Sequence, residues 1–356
     1  QDFRVHQRLN LDHSVVEGVY STISEIDTVK QSWHLTGKLL PQTIERLTRS
    51  VIITSTGASN RIEGNRLTDI EVESLYKNLR IKKFKTRDEQ EIAGYIECLE
   101  VVFANYKDMP LKESLILQLH DEMLNHSDKD SRHKDNYKFG SNRVEAKEHS
   151  GNVVGVIFDP TPPHLVKKEM QELIDWYNWA TSTKAKYPLI LIANFIFEYL
   201  AIHPFQDGNG RTSRLLTNLL LLQSGYAFAQ VVSHERIIEA NKVDYYLALN
   251  KTQSAWKTDK ENITPWLLYF LNIMKKQSEQ ALKIIEGDNI EYLLSEKQLA
   301  LWRWAVNYDG EFGRKDAVAA LSFPERTVES IIKKLVDLKR LERIGEGRAI
   351  RYRVIK

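Results

Sequence analysis

The 356-residue sequence has few of the residues that build cross-linked, disordered or membrane-spanning proteins. Its one cysteine, Cys98, excludes a disulfide or a thiolate zinc site within one chain. Its 16 glycines and 9 prolines argue against a collagen-like or long disordered segment. The longest charge-free apolar stretch, Pro188–Phe197, is far shorter than the ~20 residues of a transmembrane helix, and the first residues lack a signal-peptide core. We therefore expect a cytoplasmic protein with no membrane partner.

Helical periodicity dominates the rest of the sequence. At roughly 150 residues per domain, the length predicts two or three domains. Pro41 and Gly64 are placed to begin and end one helix, and Arg236–Lys251 is predicted as another. Residues 142–158 are richer in β-branched types and predict a β-hairpin that turns at His149–Asn152. The predicted fold class is mainly α, with this hairpin inserted among the helices.

The last part of the chain, residues 288–356, follows a different pattern of three short helices and a closing hairpin. This order predicts a winged helix-turn-helix. Residues 312–356 carry 12 Lys/Arg and 6 Asp/Glu, a net of +6, whereas the whole chain has a net charge of +2. Such a patch can neutralise DNA phosphates, although acidic residues on the predicted recognition helix, Glu325–Leu338, weaken that interpretation. A DNA-binding role and a protein-interaction role both stay open.

The stretch HPFQDGNGRTSR, which begins at His203, concentrates the chemistry of the chain. A glycine-rich loop, Asp207–Gly210, opens a helix there, and the free N–H groups of such a helix start favour a phosphate. Arg211 and Arg214 share one helix face and can clamp phosphate oxygens. Asp207 offers a hard oxygen ligand to a phosphate-bound Mg²⁺, and His203 can accept a proton from a hydroxyl. These parts predict phosphoryl or nucleotidyl transfer, and the alternative is a capped helix with structural glycines.

The same stretch resembles the signature of the Fic family, HPFx(D/E)GNGRxxR, with every defined position filled. The likeness extends over about residues 90–285. Fic proteins are α-helical and mostly transfer AMP from ATP to a Ser, Thr or Tyr hydroxyl of a protein. The resemblance therefore implies ATP as substrate, Mg²⁺, and a protein partner that offers a hydroxyl in an extended segment. It implies His203 as base, Asp207 as metal ligand and Arg214 as the γ-phosphate contact. The residues implied in holding the α- and β-phosphates are Gly208, Asn209, Gly210 and Arg211.

The predicted hairpin lies where Fic proteins carry a flap, which pairs with an extended target segment by strand addition. The alternative is an ordinary surface ribbon. The flap residues that the resemblance implies beside the nucleotide are Gly155, Val156, Ile157 and Phe158. The pair Tyr245-Tyr246 resembles aromatics that the family places beside adenine, with Tyr246 as the contact, although adjacent tyrosines on a helix serve packing equally well.

Upstream, Ser59–Gly64 reads SNRIEG and matches the inhibitory motif of the family, (S/T)xxxE(G/N). Glu63 is predicted in the last helical turn before Gly64, where its carboxylate meets the negative end of the helix dipole at a cost of ~0.3–1 kcal/mol. A locally unfavourable charge often marks a functional partner. The resemblance names that partner as Arg214, with Ser59 bonded in the same site. The alternative is a solvated surface glutamate.

The predicted function is that of an autoinhibited protein adenylyltransferase with three parts. They are an N-terminal helical extension with the inhibitory motif (1–88), a Fic catalytic core (89–287) and the winged helix-turn-helix domain (288–356). The alternatives are AMP removal or transfer of another nucleotide at the same site, or a DNA-binding regulator that uses the Fic fold as a nucleotide sensor. The resemblance also implies a homodimer, which is common among relatives.

Three histidines, His120, His126 and His133, recur near acidic residues. Their spacing does not fit metal ligands on one helix face, so we interpret them as surface histidines.

Overall fold

The computed structural model describes residues 3–35, 41–79, 83–127, 136–142, 144–147, 153–286, 294–308, 310–345 and 350–355. Within these ranges, only the backbone is described for residues 34–35, 144–147, 153–157 and 285–286. The predicted hairpin turn at His149–Asn152 and the side chain of His133 lie outside the described residues. The chain divides into two compact units, one made of Gln1–Leu35 and Leu47–Leu282, the other of Thr36–Arg46 and Lys283–Lys356.

Helices account for most of the described chain, which confirms the mainly α fold class. Their bounds are α1 Arg4–Gln7, α2 His13–Leu35, α3 Pro41–Ile62, α4 Asp69–Lys77, α5 Arg87–Asn105, α6 Glu113–Met123, α7 Pro163–Ser182, α8 Pro188–Ile202, α9 Asn209–Gln223, α10 His234–Ala240, α11 Lys242–Gln253, α12 Thr264–Glu286, α13 Glu296–Val306, α14 Arg314–Leu321 and α15 Glu325–Asp337. Short 3₁₀ turns lie at Tyr106–Asp108 and Ala227–Gln230. Within the described ranges, no helix is both long enough and apolar enough to cross a membrane.

Local sequence explains where several helices begin. Thr68 and Thr86 precede α4 and α5, and each forms a capping box with the glutamate three residues later, which satisfies N–H groups of the first turn. Pro163 and Pro188 occupy the first positions of α7 and α8, where the missing N–H has no helical partner to lose.

The helix predicted over Arg236–Lys251 is wrong as a single element. The structure ends α10 at Ala240 and begins α11 at Lys242, because Asn241 between them has φ −131° and ψ 43°, outside the helical region. Asparagine tolerates such a break because its short side chain competes with backbone hydrogen bonds. Asn241 Nδ2 donates to the Ile237 carbonyl at 3.4 Å, close to the end of α10.

The centre of the first unit is α8, in which every residue from Leu189 to Ile202 is buried. A helix that is apolar on all sides belongs inside a core, and α8 packs between α7 and α9. Its buried Glu198 forms an ion pair of 2.5 Å with Arg8, whose Nε also donates to Asn194 Oδ1 at 2.6 Å. The N-terminal segment is thereby fixed to the helix that carries His203 at its end.

The predicted hairpin consists of β1 (Val144–Lys147) and β2 (Val153–Phe158), which pair antiparallel. Val144 lies opposite Phe158, and Ala146 lies opposite Gly155. The backbone of β2 runs beside α11. Phe158, at the end of β2, is buried with its ring centroid 5.3 Å from that of Trp256.

The C-terminal unit contains α13, α14, α15 and an antiparallel hairpin of β3 (Leu341–Ile344) and β4 (Arg351–Val354). Apolar residues from all three helices and the hairpin form its core, including Leu301, Ala317, Val328, Leu335 and Leu341. The element order is the one predicted from the sequence, and the winged-helix assignment stays a prediction.

Candidate active site

The loop between α8 and α9 begins with a residue in an unusual conformation. His203 has φ 52° and ψ 62°, the left-handed region, which costs a residue with a Cβ about 1–2 kcal/mol. Its N–H still donates to the Tyr199 carbonyl at 2.9 Å, so the hydrogen bonding of α8 continues as far as His203. Strain of this kind persists only where the surrounding structure holds it.

The segment before β1 supplies that support by binding four successive carbonyls of the loop. The Lys138 N–H donates to the Pro204 carbonyl at 2.8 Å, and its ammonium donates to the Ile202 carbonyl at 3.2 Å. Asn142 Nδ2 donates to the His203 carbonyl at 3.2 Å and to the Phe205 carbonyl at 2.6 Å. These contacts fix the backbone of the loop before any ligand binds.

Below the loop, Phe205 is fully buried and stacks on His120, with ring centroids 3.6 Å apart and planes 4° from parallel. Nε2 of His120 bonds to the Asp207 carbonyl at 2.9 Å. The interpretation of His120 as a surface histidine is therefore wrong: its ring is buried beneath the loop, where it supports Phe205 and Asp207. Gly208 has φ +84°, and a Cβ there would lie 2.7 Å from Met123 Cε, so the position requires glycine.

The half-buried ring of His203 is arranged to accept a proton. Nδ1 lies 3.2 Å from the Leu200 carbonyl, which can only accept a hydrogen bond. Nδ1 therefore carries the proton, and Nε2 keeps a free lone pair. Burial lowers the pKa of His203 to about 4; the Leu200 bond raises that pKa less, and the Lys138 ammonium lowers it further. The ring is therefore neutral at physiological pH.

Asp207 and Arg211 form the floor beside the loop. Asp207 Oδ1 accepts from the Gly208 N–H at 2.6 Å, and Oδ2 lies 3.0 Å from Arg87 and 3.5 Å from Arg211. Burial opposes ionisation, but these guanidiniums and the Gly208 bond lower the pKa of Asp207 below its ordinary value. Nη1 of Arg211 lies 3.5 Å from Glu91, and its Nε and Nη1 are buried without hydrogen bonds among the described residues. A buried guanidinium with unused donors is suited to bind phosphate oxygens.

The segment that the sequence predicts to be inhibitory, Ser59–Gly64, meets the start of α9. Glu63 Oε1 lies 2.7 Å from Arg214 Nη2, while Ser59 accepts from the same guanidinium through its hydroxyl at 2.8 Å and its carbonyl at 2.9 Å. A Cβ on Gly210 would lie 2.1 Å from Glu63 Oε1, so the carboxylate rests against the first turn of α9. Burial opposes the charge of Arg214, but Glu63 raises its pKa above the ordinary value. The carboxylate thus occupies the positive end of a helix dipole, where an anion is favoured.

The end of α3 fixes the direction of Glu63. The helix ends at Ile62, so Glu63 is the residue that follows it and not part of the last turn as predicted. The Gly64 N–H donates to the Arg61 carbonyl at 3.1 Å, and the Asn65 N–H donates to the Asn60 carbonyl at 3.0 Å. With Gly64 at φ +98°, these bonds make a Schellman motif that turns the chain directly after Glu63.

The tyrosine pair lies on α11. Tyr245 is buried and lines a small cavity together with Arg214, whereas Tyr246 is 45% exposed with its ring centroid 5.1 Å from that of Tyr245. Burial raises the pKa of Tyr246 to about 12, and the charges of Glu63 and Arg214 both act on it. Tyr245, and not Tyr246, is therefore the member of the pair that lines the cavity next to Arg214.

The donor set suits a metal ion only in part. Among the described residues, no group of three His, Cys, Asp or Glu side chains could hold a metal. Asp207 offers a partly exposed carboxylate, a donor that suits a Mg²⁺ held mainly by the phosphates of a substrate.

Comparison with known protein families matches residues 110–221 to the Fic/DOC family. The chain is 32% identical over 169 residues to the protein adenylyltransferase Fic of Drosophila willistoni, which covers 46% of this chain and 31% of that protein. It is 41% identical over 69 residues to the protein adenylyltransferase fic-1 of Caenorhabditis briggsae, or 19% of this chain and 13% of that protein. The chain thus spans about a third or less of the length of these two relatives.

Solved structures agree on the fold. A Fic family protein from Desulfovibrio desulfuricans superposes with a TM-score of 0.63 at 22% identity, covering 95% of each chain. A Fic domain containing signalling protein from Bacteroides thetaiotaomicron gives 0.60 at 24% identity, over 74% of this chain and 97% of that one. Together with the family match over residues 110–221, these likenesses show that the chain has the fold of Fic proteins.

Proposed function

We propose that this protein is an adenylyltransferase that transfers AMP from ATP to a Ser, Thr or Tyr hydroxyl of a protein, and that Glu63 inhibits it. One observation carries the proposal: a neutral histidine with a free Nε2, His203, lies on the loop that opens an anion-binding helix start. The names of the two curated relatives support the same activity.

In the proposed reaction, His203 Nε2 takes the proton of the target hydroxyl, whose oxygen then attacks the α-phosphorus of ATP. A new phosphorus–oxygen bond forms, the bond between the α- and β-phosphates breaks, and pyrophosphate leaves. The first N–H groups of α9 and the unused donors of Arg211 hold the phosphates. The same turn contains Gly208, Asn209 and Gly210, which are therefore proposed to hold the α- and β-phosphates.

A magnesium ion bound with ATP would neutralise charge on the phosphates. Asp207 is the residue that would hold it. This requires Asp207 to exchange its contact of 3.0 Å with Arg87 for the metal.

Inhibition is supported by the 2.7 Å contact between Glu63 and Arg214. Arg214 is the arginine expected to bind the γ-phosphate, and its guanidinium is already bonded to Glu63 and Ser59. With that arginine engaged, the α-phosphate of a bound ATP is not aligned with the attacking hydroxyl. Removal of the Glu63 carboxylate frees Arg214 for the nucleotide.

The test uses the full chain and ATP labelled on either the α- or the γ-phosphate, added to a cell lysate. We expect the Glu63→Gly variant to attach the α-label, and not the γ-label, to protein, and the further change His203→Ala to abolish it. Absence of protein-bound α-label in Glu63→Gly would contradict the proposal. Mass analysis of the product, and a parallel reaction on pre-labelled protein, separate AMP transfer from transfer of another nucleotide and from AMP removal.

The partners follow from the same proposal. The target protein presents its hydroxyl in an extended segment that pairs with the flap formed by β1 and β2, with Gly155–Phe158 beside the nucleotide and Tyr246 beside adenine. A cytoplasmic location and a homodimer belong to the proposal, and fractionation and size-exclusion chromatography with light scattering test them.

A second proposed activity is DNA binding by the C-terminal unit. It is supported by exposed basic residues on α15, Arg326, Lys333 and Lys334, although Arg314 at the start of α14 is paired with Glu325 and Glu329. A mobility shift with duplex DNA that weakens with salt would support this role. Lack of binding at low salt would remove both DNA binding and the regulator alternative.

A further inference from the structure

Four charged side chains form a cluster beside the end of α3, which we call the Arg61 cluster. Arg61 Nε lies 2.5 Å from Glu239 Oε1, and Arg61 Nη2 lies 2.8 Å from Asp69 Oδ1. Arg236 Nη1 completes the cluster, 2.5 Å from Asp69 Oδ2. Arg61 Nη1 also donates to the Leu67 carbonyl at 2.9 Å. The cluster therefore ties the last turn of α3 to the start of α4 and to α10.

Gly57 shows that α3 is shaped around this cluster. It lies one helical turn before Arg61, in the interior of α3, where glycine is disfavoured. A Cβ at that position would lie 2.6 Å from Arg61 Nη1 and 2.7 Å from Asp69 Oδ1. The glycine thus leaves the space in which the guanidinium folds back along the helix.

The cluster is separate from the phosphate site but close to Glu63 along the chain. Arg61 precedes Glu63 by two residues, and the two side chains have different partners: Arg61 contacts Glu239 and Asp69, whereas Glu63 contacts Arg214. Arg61 therefore acts on the site only through the backbone of the turn, whose Gly64 N–H bonds to the Arg61 carbonyl at 3.1 Å. Glu63 itself contacts Arg214 through one oxygen and is 37% exposed, so its position also depends on the turn that carries it.

We propose that the Arg61 cluster is the latch that positions the Glu63 carboxylate on Arg214, and that opening it releases the enzyme from inhibition. The inference rests on the proposed function, because it concerns the same inhibitory contact. Arg61, Glu239 and Asp69 are positioning residues in this account and touch neither nucleotide nor target.

The side chains of the Arg61 cluster are accessible to solvent. A surface cavity of about 600 Å³ is lined by Arg61, Asp69, Arg236 and Glu239. The side chains of the cluster are between 20% and 56% exposed, so one charge can be removed without leaving a partner buried in the core. Disruption should therefore loosen the turn and leave the fold intact.

The experiment measures initial rates of AMP transfer from α-labelled ATP with the full chain. Glu239→Gln keeps the shape of the side chain and removes its charge, and Gly57→Ala keeps all four charges and displaces the guanidinium. We expect each variant to be about two- to fivefold faster than wild type, the range expected for loss of a partly exposed pair. In the Glu63→Gly background, neither change should raise the rate further. Glu73→Gln, which breaks the exposed pair of 2.7 Å with Lys77 on α4, is the matched control and should change nothing.

Three outcomes decide the matter. If Glu63→Gly is fast while Glu239→Gln and Gly57→Ala stay at the wild-type rate, the latch is wrong and the inhibitory contact stands. If Glu239→Gln accelerates the Glu63→Gly variant as well, the cluster acts on catalysis and not on Glu63, and the latch is again wrong. If Glu63→Gly itself is no faster than wild type, the inhibitory contact fails and the latch fails with it. Thermal melting shows whether each variant is folded. If Glu239→Gln is not folded, the rate of Gly57→Ala tests the latch in its place.

Discussion

The loop between α8 and α9 and the turn that carries Glu63 are held in different ways. In the loop, Phe205 is fully buried and the carbonyls from Ile202 to Phe205 all accept hydrogen bonds from Lys138 or Asn142. In the turn, a Glu63 side chain that is 37% exposed reaches an Arg214 side chain that is 3% exposed. The difference indicates that the loop is held rigidly in place, whereas the proposed inhibition would depend on a single, partly exposed contact.

The largest expected effect is on the rate of AMP transfer and comes from a change in the loop, at His203. In the Glu63→Gly background, His203→Ala should lower AMP transfer by about 10²- to 10⁴-fold, the usual contribution of a general base. His126→Ala is the matched control: His126 pairs with Glu97 at 2.9 Å, outside the loop, and its loss should leave the rate unchanged. Equal losses for both histidines would contradict the assignment.

The next effect concerns the support of the loop. Asn142→Ala removes the donors to the His203 and Phe205 carbonyls, and should lower the free energy of unfolding by about 1–3 kcal/mol. Urea denaturation measures it. Asn105→Ala removes only a solvent-exposed bond of 3.0 Å to the Val101 carbonyl of its own helix and should cost far less. If the two losses were equal, the segment before β1 would not be a support of the loop.

Two glycines with positive φ sharpen the comparison. Gly208→Ala meets both the strain of φ +84° and the contact with Met123, whereas Gly64→Ala meets strain at φ +98° with nothing within 4 Å of the new Cβ. We expect Gly64→Ala to cost about 1–2 kcal/mol of unfolding free energy, and Gly208→Ala to cost somewhat more because Met123 Cε must also move. A larger loss at Gly64 would reverse the contrast between rigid loop and open turn.

The smallest expected effect concerns pH: the rate of AMP transfer should change little between neutral pH and the lowered pKa of His203. Because burial lowers the pKa of His203 from its ordinary 6.5 to about 4, the base stays unprotonated well below neutrality. Protonation inactivates a base, so the rate of Glu63→Gly should be lost only as the pH falls through that lower value. A rate that halves near the ordinary histidine pKa would show that the ring is not buried during catalysis.

The sequence predicted the features that depend on local residue patterns. It missed the features that depend on contacts between segments far apart in the chain. The helical fold follows from periodicity, and the likeness to the Fic family follows from the unbroken signature at His203. Lys138, Asn142 and the buried role of His120 could not be found in this way, because their bonds span 61 to 87 residues and follow no period. The break at Asn241 was missed because apolar periodicity continues across it.

Glu63 shows both what the local sequence predicts and what only the structure adds. The sequence predicted a carboxylate placed against the dipole at the end of its own helix, which is unfavourable there. The structure adds the reason that it is tolerated, since the same carboxylate lies at the favourable start of α9, next to Gly210 and Arg214. The contact between the end of α3 and the start of α9 is a tertiary contact, and the motif is its only indication in the local sequence. The roles of the site residues stay predictions.

The most direct test compares the rate of AMP transfer from α-labelled ATP for the wild-type protein, Glu63→Gln and Glu63→Gly. A hydrogen bond between charged groups contributes about 1.5–3 kcal/mol, so full release should raise the rate about ten- to hundredfold. Glu63→Gln keeps the side chain but loses the charge, and should fall between the other two. The account predicts this order, with Glu63→Gly fastest; equal rates for all three proteins would contradict it.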